Sequence, residues 1–325
     1  MNRCKGCGAV LQNKNPLGEG YARDLNNSYC ERCFRITHYN DYILNSNDNN
    51  YYLKKISGIK KTGDLVVLTV DFLNLFDIDS LNIKNPVILT FTKKDLLPRC
   101  VNINKFLNSI NFNLNIVSKL FVSSKNNYNL DLLYENILKY KKSNNVYVIG
   151  LTNAGKSSLI NKILKNYSNN ISDITISNLP STTLDFLEKK VNDNLCLIDT
   201  PGLLDSGSII MESSKEDLKK IIPKKQINPI IFQIKTDQSI IIENYARIDV
   251  LKDNNITLYM SNNLNIDRFY KDNEKLKDLS LYKVNIDSNN DLVIKGLGFI
   301  KFKNKCHINL YLKKNVKYYV RKSII

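Results

Sequence analysis

A glycine-rich segment, Gly150–Ser157, constrains the fold of this chain most, because it matches in full the pattern GxxxxGK followed by Ser or Thr. It follows a short apolar run, 146–149, and precedes a segment with the apolar spacing of a helix, 158–164. In such a strand–loop–helix, the glycines let backbone N–H groups surround a phosphate at the helix N-terminus. The sequence therefore predicts a phosphate-binding loop made of Gly150, Leu151, Thr152, Asn153, Ala154, Gly155, Lys156, Ser157 and Ser158.

Within this loop, Lys156 is predicted to contact the β- and γ-phosphates of a nucleotide, and the Ser157 hydroxyl is predicted to bind Mg²⁺. A second buried strand, 195–198, ends in Asp199–Gly202, which fits the pattern DxxG. In that motif, Asp199 would hold Mg²⁺ through water and the Gly202 amide would sense the γ-phosphate.

A switch threonine is predicted between these two motifs, in the segment Pro180–Thr183. Thr183 is the favoured residue for closing over Mg²⁺, and Thr182 is the alternative. An ordinary loop with Ser/Thr turns is the structural alternative for the whole segment.

Guanine recognition requires an Asn/Thr-Lys-x-Asp loop, and two segments qualify. Thr92–Asp95 follows an apolar strand and has a partner, Ser123–Lys125, which resembles the loop whose N–H meets guanine O6. Lys235–Asp237 lacks such a partner and ends only 35 residues beyond Gly202, which is tight for a helix plus a strand. We therefore predict a sheet edge for Lys235–Asp237 and a guanine site at Thr92, Lys93, Asp95, Ser123, Ser124 and Lys125.

This assignment places base recognition before phosphate binding along the chain, which is the reverse of the usual order. The sequence therefore predicts a circularly permuted GTPase. Such a permutation is tolerable because the termini of domains commonly lie close together at the surface. It also makes the switch region run directly into residues 213–325.

The first forty residues contain two CxxC pairs, Cys4/Cys7 and Cys30/Cys33, with 22 residues between them. Four thiolates are the ligand set of a tetrahedral structural zinc site, and disulfide or redox pairing is the alternative. Basic and aromatic neighbours suit RNA binding or a plain solvated surface. The single cysteines are predicted to be buried apolar residues: Cys100, Cys196 and Cys306.

Charge indicates a polyanionic partner, because Lys and Arg total 47 against 31 Asp and Glu, a net charge of +16. From residue 295 to 325 there are nine Lys or Arg and no acid. Alternation such as Phe299–Lys303 predicts short strands in this part, and Phe302, Tyr311, Tyr318 and Tyr319 interleave with the lysines. This region is predicted to bind RNA through charge and base stacking. A lysine-rich sheet without RNA is the alternative.

The predicted fold class is α/β: a circularly permuted P-loop GTPase core with an N-terminal Cys4 zinc module and a basic β-rich C-terminal domain. The predicted domains are 1–45, 46–212 and 213–325. No stretch approaches the roughly 18 apolar residues of a membrane span, and the N-terminus lacks an apolar leader region. We expect a monomeric protein with no membrane partner in the bacterial cytoplasm, with the matrix of an organelle as the alternative.

The chain resembles the YqeH-type circularly permuted ribosome-assembly GTPases nearly from end to end. The resemblance implies a role in maturing the small ribosomal subunit, contacts with ribosomal RNA and a TRAP-like RNA-binding β domain. The sequence departs from the family at Thr92 for Asn, Ser124 for Ala and Ser181 for Gly. The segments that carry it are Cys4–Gly8, Leu11–Gln12, Tyr29–Arg35, Thr152–Ser157, Pro201–Leu203, Ala246–Asp249 and Gly296–Phe299.

Two positions bear on the rate of GTP hydrolysis. Leu203 replaces the glutamine that orients water in many GTPases, and an aliphatic side chain cannot do this, so slow hydrolysis is expected. Asn153 stands where potassium-activated relatives hold K⁺, and capping its own turn is the alternative role. The predicted catalytic set is Lys156, Asn153, Thr183, Asp199 and Gly202, with Mg²⁺ held by Ser157, Thr183 and Asp199.

The predicted activity is hydrolysis of GTP to GDP and phosphate during assembly of the small ribosomal subunit, with its precursor and ribosomal RNA as partners. The alternative is an RNA-binding scaffold that senses GTP and GDP with little turnover. A permuted GTPase acting on the large subunit is a further alternative, against which the zinc module argues.

Overall fold

A computed structural model gives the architecture of the chain. It describes residues 2–4, 10–16, 20–31, 56–75, 78–168, 176–177, 187–200, 202–203, 205, 207–271, 276 and 279–325.

The centre of the molecule is a seven-stranded sheet, here called sheet A, with strand order β3-β2-β1-β4-β7-β6-β5. Strands β3, β2, β1, β4 and β7 run parallel, and β6 and β5 are antiparallel additions at one edge. The strands are β1 (Leu65–Asp71), β2 (Val87–Thr92), β3 (Ile116–Phe121), β4 (Asn145–Gly150), β5 (Ile176–Ser177), β6 (Leu187–Asn192) and β7 (Leu195–Asp199).

Sheet A is parallel at its centre because its central strands are apolar runs that are buried on both faces. Every residue of β2 is buried, and six of the seven residues of β1 are buried. One face packs on the apolar stripes of two helices. The helices that are described over their whole length are α1 (Ile103–Ser109), α2 (Leu130–Tyr140), α3 (Lys156–Tyr167) and α4 (Lys215–Ile221), of which α2 and α3 cover that face.

The C-terminal part is a sandwich of two antiparallel five-stranded sheets. Sheet B has the order β12-β9-β10-β16-β13, and sheet C has the order β17-β14-β15-β11-β8. The strands are β8 (Ile230–Ile234), β9 (Gln238–Ile242), β10 (Ala246–Val250), β11 (Asn254–Met260), β12 (Ile266–Tyr270), β13 (Ser280–Ile286), β14 (Asn290–Ile294), β15 (Gly298–Phe302), β16 (Cys306–Leu312) and β17 (Tyr318–Lys322).

The alternating apolar residues of both sheets meet in one core between them, as expected for a β-sandwich. The predictions of an α/β core with parallel strands and of a β-rich C-terminal region are confirmed. Two of the aromatic residues that were expected to stack on RNA bases lie inside the protein: Phe299 and Phe302 are fully buried, one on each face of sheet C. They fill the two cores that sheet C separates and therefore cannot stack on bases.

Sheet C also packs directly against sheet A. Its outer residues Tyr259, Val293 and Phe299 belong to the same apolar core as β1, β2 and α1. The Ile227 N–H donates to the carbonyl oxygen of Leu96 at 3.0 Å. This contact places the sandwich beside the loops that follow the strands of sheet A.

The N-terminal segments form a small separate core that contains Cys4, Leu11, Ala22 and Cys30. Cys4 and Cys30 are both buried, and the Cys30 N–H donates to the Cys4 Sγ at 3.1 Å. Of the single cysteines, Cys306 is buried, Cys196 is half-buried and Cys100 is exposed. The prediction of burial is therefore confirmed for Cys306, holds only in part for Cys196, and was wrong for Cys100, which lies in the turn after Pro98.

Candidate nucleotide-binding site

The phosphate loop connects β4 to α3 at the centre of sheet A. β4 ends at Gly150 and α3 begins at Lys156, so the loop lies at the carboxyl ends of the parallel strands, where α/β sheets bind ligands. A Cβ on Gly150 would lie 2.2 Å from the Thr69 Oγ1, so only glycine fits here beside β1. Asn153 and Gly155 have φ angles of +65° and +85°, which turn the loop back on itself.

Lys156 points into the loop. Its side chain is buried, and its Nζ donates to the carbonyl oxygens of Gly150 at 3.2 Å and Leu151 at 3.3 Å. Burial lowers the pKa of Lys156, and the carboxylate of Asp199 opposes that shift. A buried ammonium group held by two carbonyls is suited to receive an anion that enters the loop.

Asp199 lies at the end of β7 beside the first turn of α3. The Ser157 hydroxyl is 3.4 Å from the Asp199 Oδ2, and burial raises the pKa of the Asp199 carboxyl. Its Oδ1 is buried and has no hydrogen-bond partner in the described part of the chain. A carboxylate oxygen without a partner next to a hydroxyl is the kind of oxygen pair that Mg²⁺ binds, so these two residues fit that ion.

The end of the DxxG motif contacts the phosphate loop through backbone bonds. Leu203 forms a parallel bridge with Leu151, and its carbonyl accepts from the Thr152 N–H at 2.8 Å. A Cβ on Gly202 would lie 2.8 Å from the Thr152 Oγ1. The Leu203 side chain is buried in the apolar core, so it cannot act on a water molecule at the phosphates in this conformation.

The two predicted base-recognition loops lie together next to the phosphate loop. Thr92 ends β2, and its hydroxyl donates to the Ala154 carbonyl oxygen at 2.6 Å. The Ser123 hydroxyl donates to the Asp95 Oδ1 at 2.6 Å, and the Lys94 N–H donates to the Val122 carbonyl oxygen at 3.0 Å. The remaining predicted residues of the second loop, Ser124 and Lys125, follow directly, and the Lys125 N–H faces the Ser123 hydroxyl at 3.3 Å.

The competing segment, Lys235–Asp237, lies elsewhere. It forms the exposed turn between β8, an edge strand of sheet C, and β9 of sheet B. The Thr236 N–H donates to the Asp253 Oδ1 at 2.9 Å within the sandwich. The structure therefore brings Thr92–Asp95, and not Lys235–Asp237, to the phosphate loop.

One residue of the site was missed at the level of sequence. Asp71 ends β1, and its Oδ2 accepts from the Lys93 Nζ at 2.7 Å, which fixes the lysine of the Thr-Lys-x-Asp loop. Its position at the end of a mainly apolar strand was the available signal, because the ends of neighbouring parallel strands lie at one edge of a sheet.

Several predicted residues fall outside the described chain: Cys7, Cys33, Thr182 and Thr183. Across the described residues, no group of three or more His, Cys, Asp or Glu side chains could hold a metal ion. The described helices include none that is long and apolar enough to cross a membrane.

Comparisons with known proteins also indicate a GTPase domain in the region of the phosphate loop. A protein family described as 50S ribosome-binding GTPase matches residues 145–264. The chain is 26% identical to the Arabidopsis thaliana NO-associated protein 1, chloroplastic/mitochondrial, over 72% of this chain and 49% of that protein. It is 30% identical to the tRNA modification GTPase MnmE of a Thermoanaerobacter strain, over 41% and 28% respectively.

These matches show that the chain carries a GTPase domain, which implies GTP as substrate and Mg²⁺ as its cofactor. The similarity to the YqeH protein of Bacillus subtilis extends further, with 30% identity over 99% of each chain. Because this similarity includes the cysteine-containing segment, the nucleotide loops and the sandwich alike, the chain belongs to the YqeH family of GTPases.

Proposed function

We propose that the chain is a circularly permuted GTPase whose base-recognition strands precede its phosphate loop. Guanine would be bound by Thr92, Lys93 and Asp95 together with the loop 123–125. The contact of Thr92 with Ala154 carries this proposal, because it places the base loop against the phosphate loop without help from Lys235–Asp237. The phosphates would be bound by 150–158, and Mg²⁺ by Ser157, Asp199 and Thr183.

Hydrolysis by this site is proposed to be slow and stimulated by K⁺. The burial of Leu203 supports slow turnover, because a buried aliphatic side chain cannot orient the attacking water. Asn153, which is half-buried and has a left-handed backbone conformation, is the residue proposed to hold K⁺ beside the phosphates. A fixed cation there would supply electrostatic stabilisation of developing charge.

A structural zinc site is proposed at the N-terminus, with Cys4, Cys7, Cys30 and Cys33 as ligands. The burial of Cys4 and Cys30 supports it, because the two belong to different CxxC pairs and yet share one small core. The N–H of Cys30 faces the Cys4 sulfur, and hydrogen bonds to sulfur favour the thiolate form that zinc requires.

The biological role that we propose is assembly of the small ribosomal subunit through binding to its precursor and ribosomal RNA. Support comes from the charge of the sandwich, where Lys303, Lys305 and Lys314 are exposed. We propose that the protein is a monomer in the bacterial cytoplasm.

A scaffold that senses nucleotide with little turnover is the second candidate, and the aliphatic side chain of Leu203 favours it. Action on the large subunit is a third candidate, because the matching family description names the 50S particle.

Sedimentation distinguishes these roles. Lysate is centrifuged through sucrose with GDP or with a non-hydrolysable GTP analogue, and the protein is located by immunoblot. We expect it in small-subunit fractions in one nucleotide state and at the top of the gradient in the other. Lys156→Ala is the control and should lose the dependence on nucleotide. Sedimentation with large-subunit particles would contradict the proposed role. If the protein sediments with small-subunit particles equally in both nucleotide states and does not hydrolyse GTP, the scaffold is supported.

A further inference from the structure

The residues that follow the DxxG motif are anchored to the β-sandwich. The Lys295 Nζ, in the turn between β14 and β15, pairs with the Asp205 carboxylate at 2.7 Å, and the Lys295 carbonyl oxygen accepts from the Ile209 N–H at 2.9 Å. The Lys317 N–H donates to the Gly207 carbonyl oxygen at 2.8 Å. Ile209 is fully buried in the core between sheets B and C. Side-chain and backbone contacts therefore fix Asp205, Gly207 and Ile209 on the sandwich.

The turns that meet at this contact are closely packed. A Cβ on Gly296 would lie 2.1 Å from the Ser208 Oγ, and a Cβ on Gly207 would lie 2.5 Å from the Lys317 Cγ. The φ angles of these two glycines are +79° and +90°, a backbone conformation that other residues rarely adopt. This close packing restricts how far the residues after the DxxG motif can shift relative to the sandwich.

The end of the DxxG motif is held on its other side by the phosphate loop. The Leu203 N–H donates to the Gly150 carbonyl oxygen at 3.1 Å, and the Leu203 carbonyl oxygen accepts from the Thr152 N–H at 2.8 Å. Only one residue separates Leu203 from Asp205, and two residue steps span at most about 7 Å. The anchor on the phosphate loop and the anchor on the sandwich are therefore joined by almost no free chain, directly after Gly202.

The carboxylate of Asp205 has a partner on each of its oxygens. Lys295 donates to Oδ1, and the Asn74 Nδ2 donates to Oδ2 at 2.8 Å. The Lys295 and Asp205 side chains are only 17% and 10% exposed, so solvent and salt screen this ion pair little. Asn74 lies in the loop that follows β1, and that loop begins at Asp71, the partner of Lys93 in the proposed guanine loop. Asp205 thus joins the DxxG segment to the sandwich and to the loop after β1.

We propose that Asp205 and Lys295 are positioning residues for GTP hydrolysis, and that the sandwich fixes the Gly202 amide at the γ-phosphate through this ion pair. The inference rests on the proposed role of Asp199–Gly202 in the GTPase site. Neither residue of the pair touches the nucleotide, but a displacement of about 1 Å at a reacting group can lower a rate strongly. GDP has no γ-phosphate, so its affinity should not depend on the pair.

The test measures single-turnover GTP hydrolysis by the full-length protein in excess over GTP, with Mg²⁺ and KCl, and the affinity for a fluorescent GDP. Lys295→Met and Asp205→Asn should each hydrolyse GTP about tenfold more slowly and bind GDP within about twofold of the wild type. Their combination should be no slower than either single variant, because the two residues act as one unit. Lys295→Arg keeps the cation and should restore most of the rate. The matched control is Lys220→Met, which removes a half-exposed lysine paired with Glu243 at 3.3 Å and should change the rate less than about twofold.

Hydrogen exchange measured by mass spectrometry separates a local effect from a loss of folding. Lys295→Met and Asp205→Asn should speed exchange at the Ile209 amide and its neighbours, while the buried strands β14 and β15 stay protected.

Three results would overturn this proposal alone: wild-type turnover in Asp205→Asn or Lys295→Met, an equal loss of turnover in Lys220→Met, or a loss of GDP affinity as large as the loss of turnover. A wild type that binds GTP without hydrolysing it would overturn the proposed activity and, with it, this role of the pair.

Discussion

The hydroxyl of Thr92 donates a 2.6 Å hydrogen bond to the carbonyl oxygen of Ala154 and so ties β2 to the phosphate loop. These residues are 62 positions apart in the chain, and both are buried. Because neighbouring parallel strands end at one edge, a residue that ends β2 can contact a loop that follows β4. The position of the proposed guanine loop relative to the proposed phosphate loop depends on this contact.

Guanine preference is expected to depend on Asp95. Asp95→Asn should lower affinity for GTP at least about tenfold and shift preference toward xanthosine triphosphate, because the carboxylate would no longer accept from the base. Affinities can be measured by competition against a fluorescent nucleotide. Asp237→Asn is the matched control in the sandwich and should leave both affinities unchanged. The opposite pattern would show that guanine is bound by Lys235–Asp237.

Nucleotide binding is expected to require the buried ammonium of Lys156. Lys156→Ala should abolish measurable binding of GTP in isothermal titration calorimetry, because the loop loses the charge that faces the phosphates. Lys162→Ala, a lysine of α3 outside the loop, serves as control and should bind normally. Wild-type affinity in Lys156→Ala would refute the assignment of the phosphate loop.

Asp199 is expected to link stability to pH and to Mg²⁺. A carboxyl whose pKa is raised in the folded protein favours folding most at low pH, and this contribution is lost as pH rises through the raised pKa. At neutral pH the nucleotide-free Asp199→Asn variant should therefore melt about 2–4 °C higher, the shift that roughly 1 kcal/mol causes in a domain of this size. The variant should also lose the Mg²⁺ dependence of GTP binding. A lower Tm at neutral pH would contradict this account.

Metal content tests the proposed zinc module. Elemental analysis of the purified protein should return about one zinc per chain. Replacing both Cys4 and Cys30 with Ser should abolish zinc binding and unfold the N-terminal core, whereas Cys196→Ser, in β7, should keep the metal. A folded N-terminal core without zinc would exclude the site.

Salt identity tests the proposed role of Asn153. GTP turnover should be several-fold faster in KCl than in NaCl at equal ionic strength. Na⁺ is smaller than K⁺ and would be coordinated poorly by oxygen atoms that are spaced for K⁺. Equal ionic strength is necessary because a chain of charge +16 responds to salt through screening alone. Asn153→Ala should remove the difference. Equal turnover in both salts would leave Asn153 a structural residue of the loop.

The sequence by itself determined the features that depend on contiguous residues. The phosphate loop is recognisable from Gly150–Ser157 because a turn that surrounds a phosphate needs its glycines at fixed spacing along one short segment. The strands 146–149 and 195–198 were recognisable because strands buried on both faces are uninterrupted apolar runs. The alternation in Phe299–Lys303 likewise indicated a strand, although it could not tell which core each phenylalanine would enter.

The tertiary structure alone decided every feature that depends on contact between distant segments. It placed Thr92 on Ala154, paired Lys93 with Asp71, and seated Asp205 on Lys295, contacts whose partners lie 22 to 90 residues apart. The equivalence of strands β9 and β10 with β14 and β15, which begin 52 residues later and pair in the same way, also became visible only in the tertiary structure. Local patterns fix which strands form, but the order and register of strands follow from how the whole core is buried.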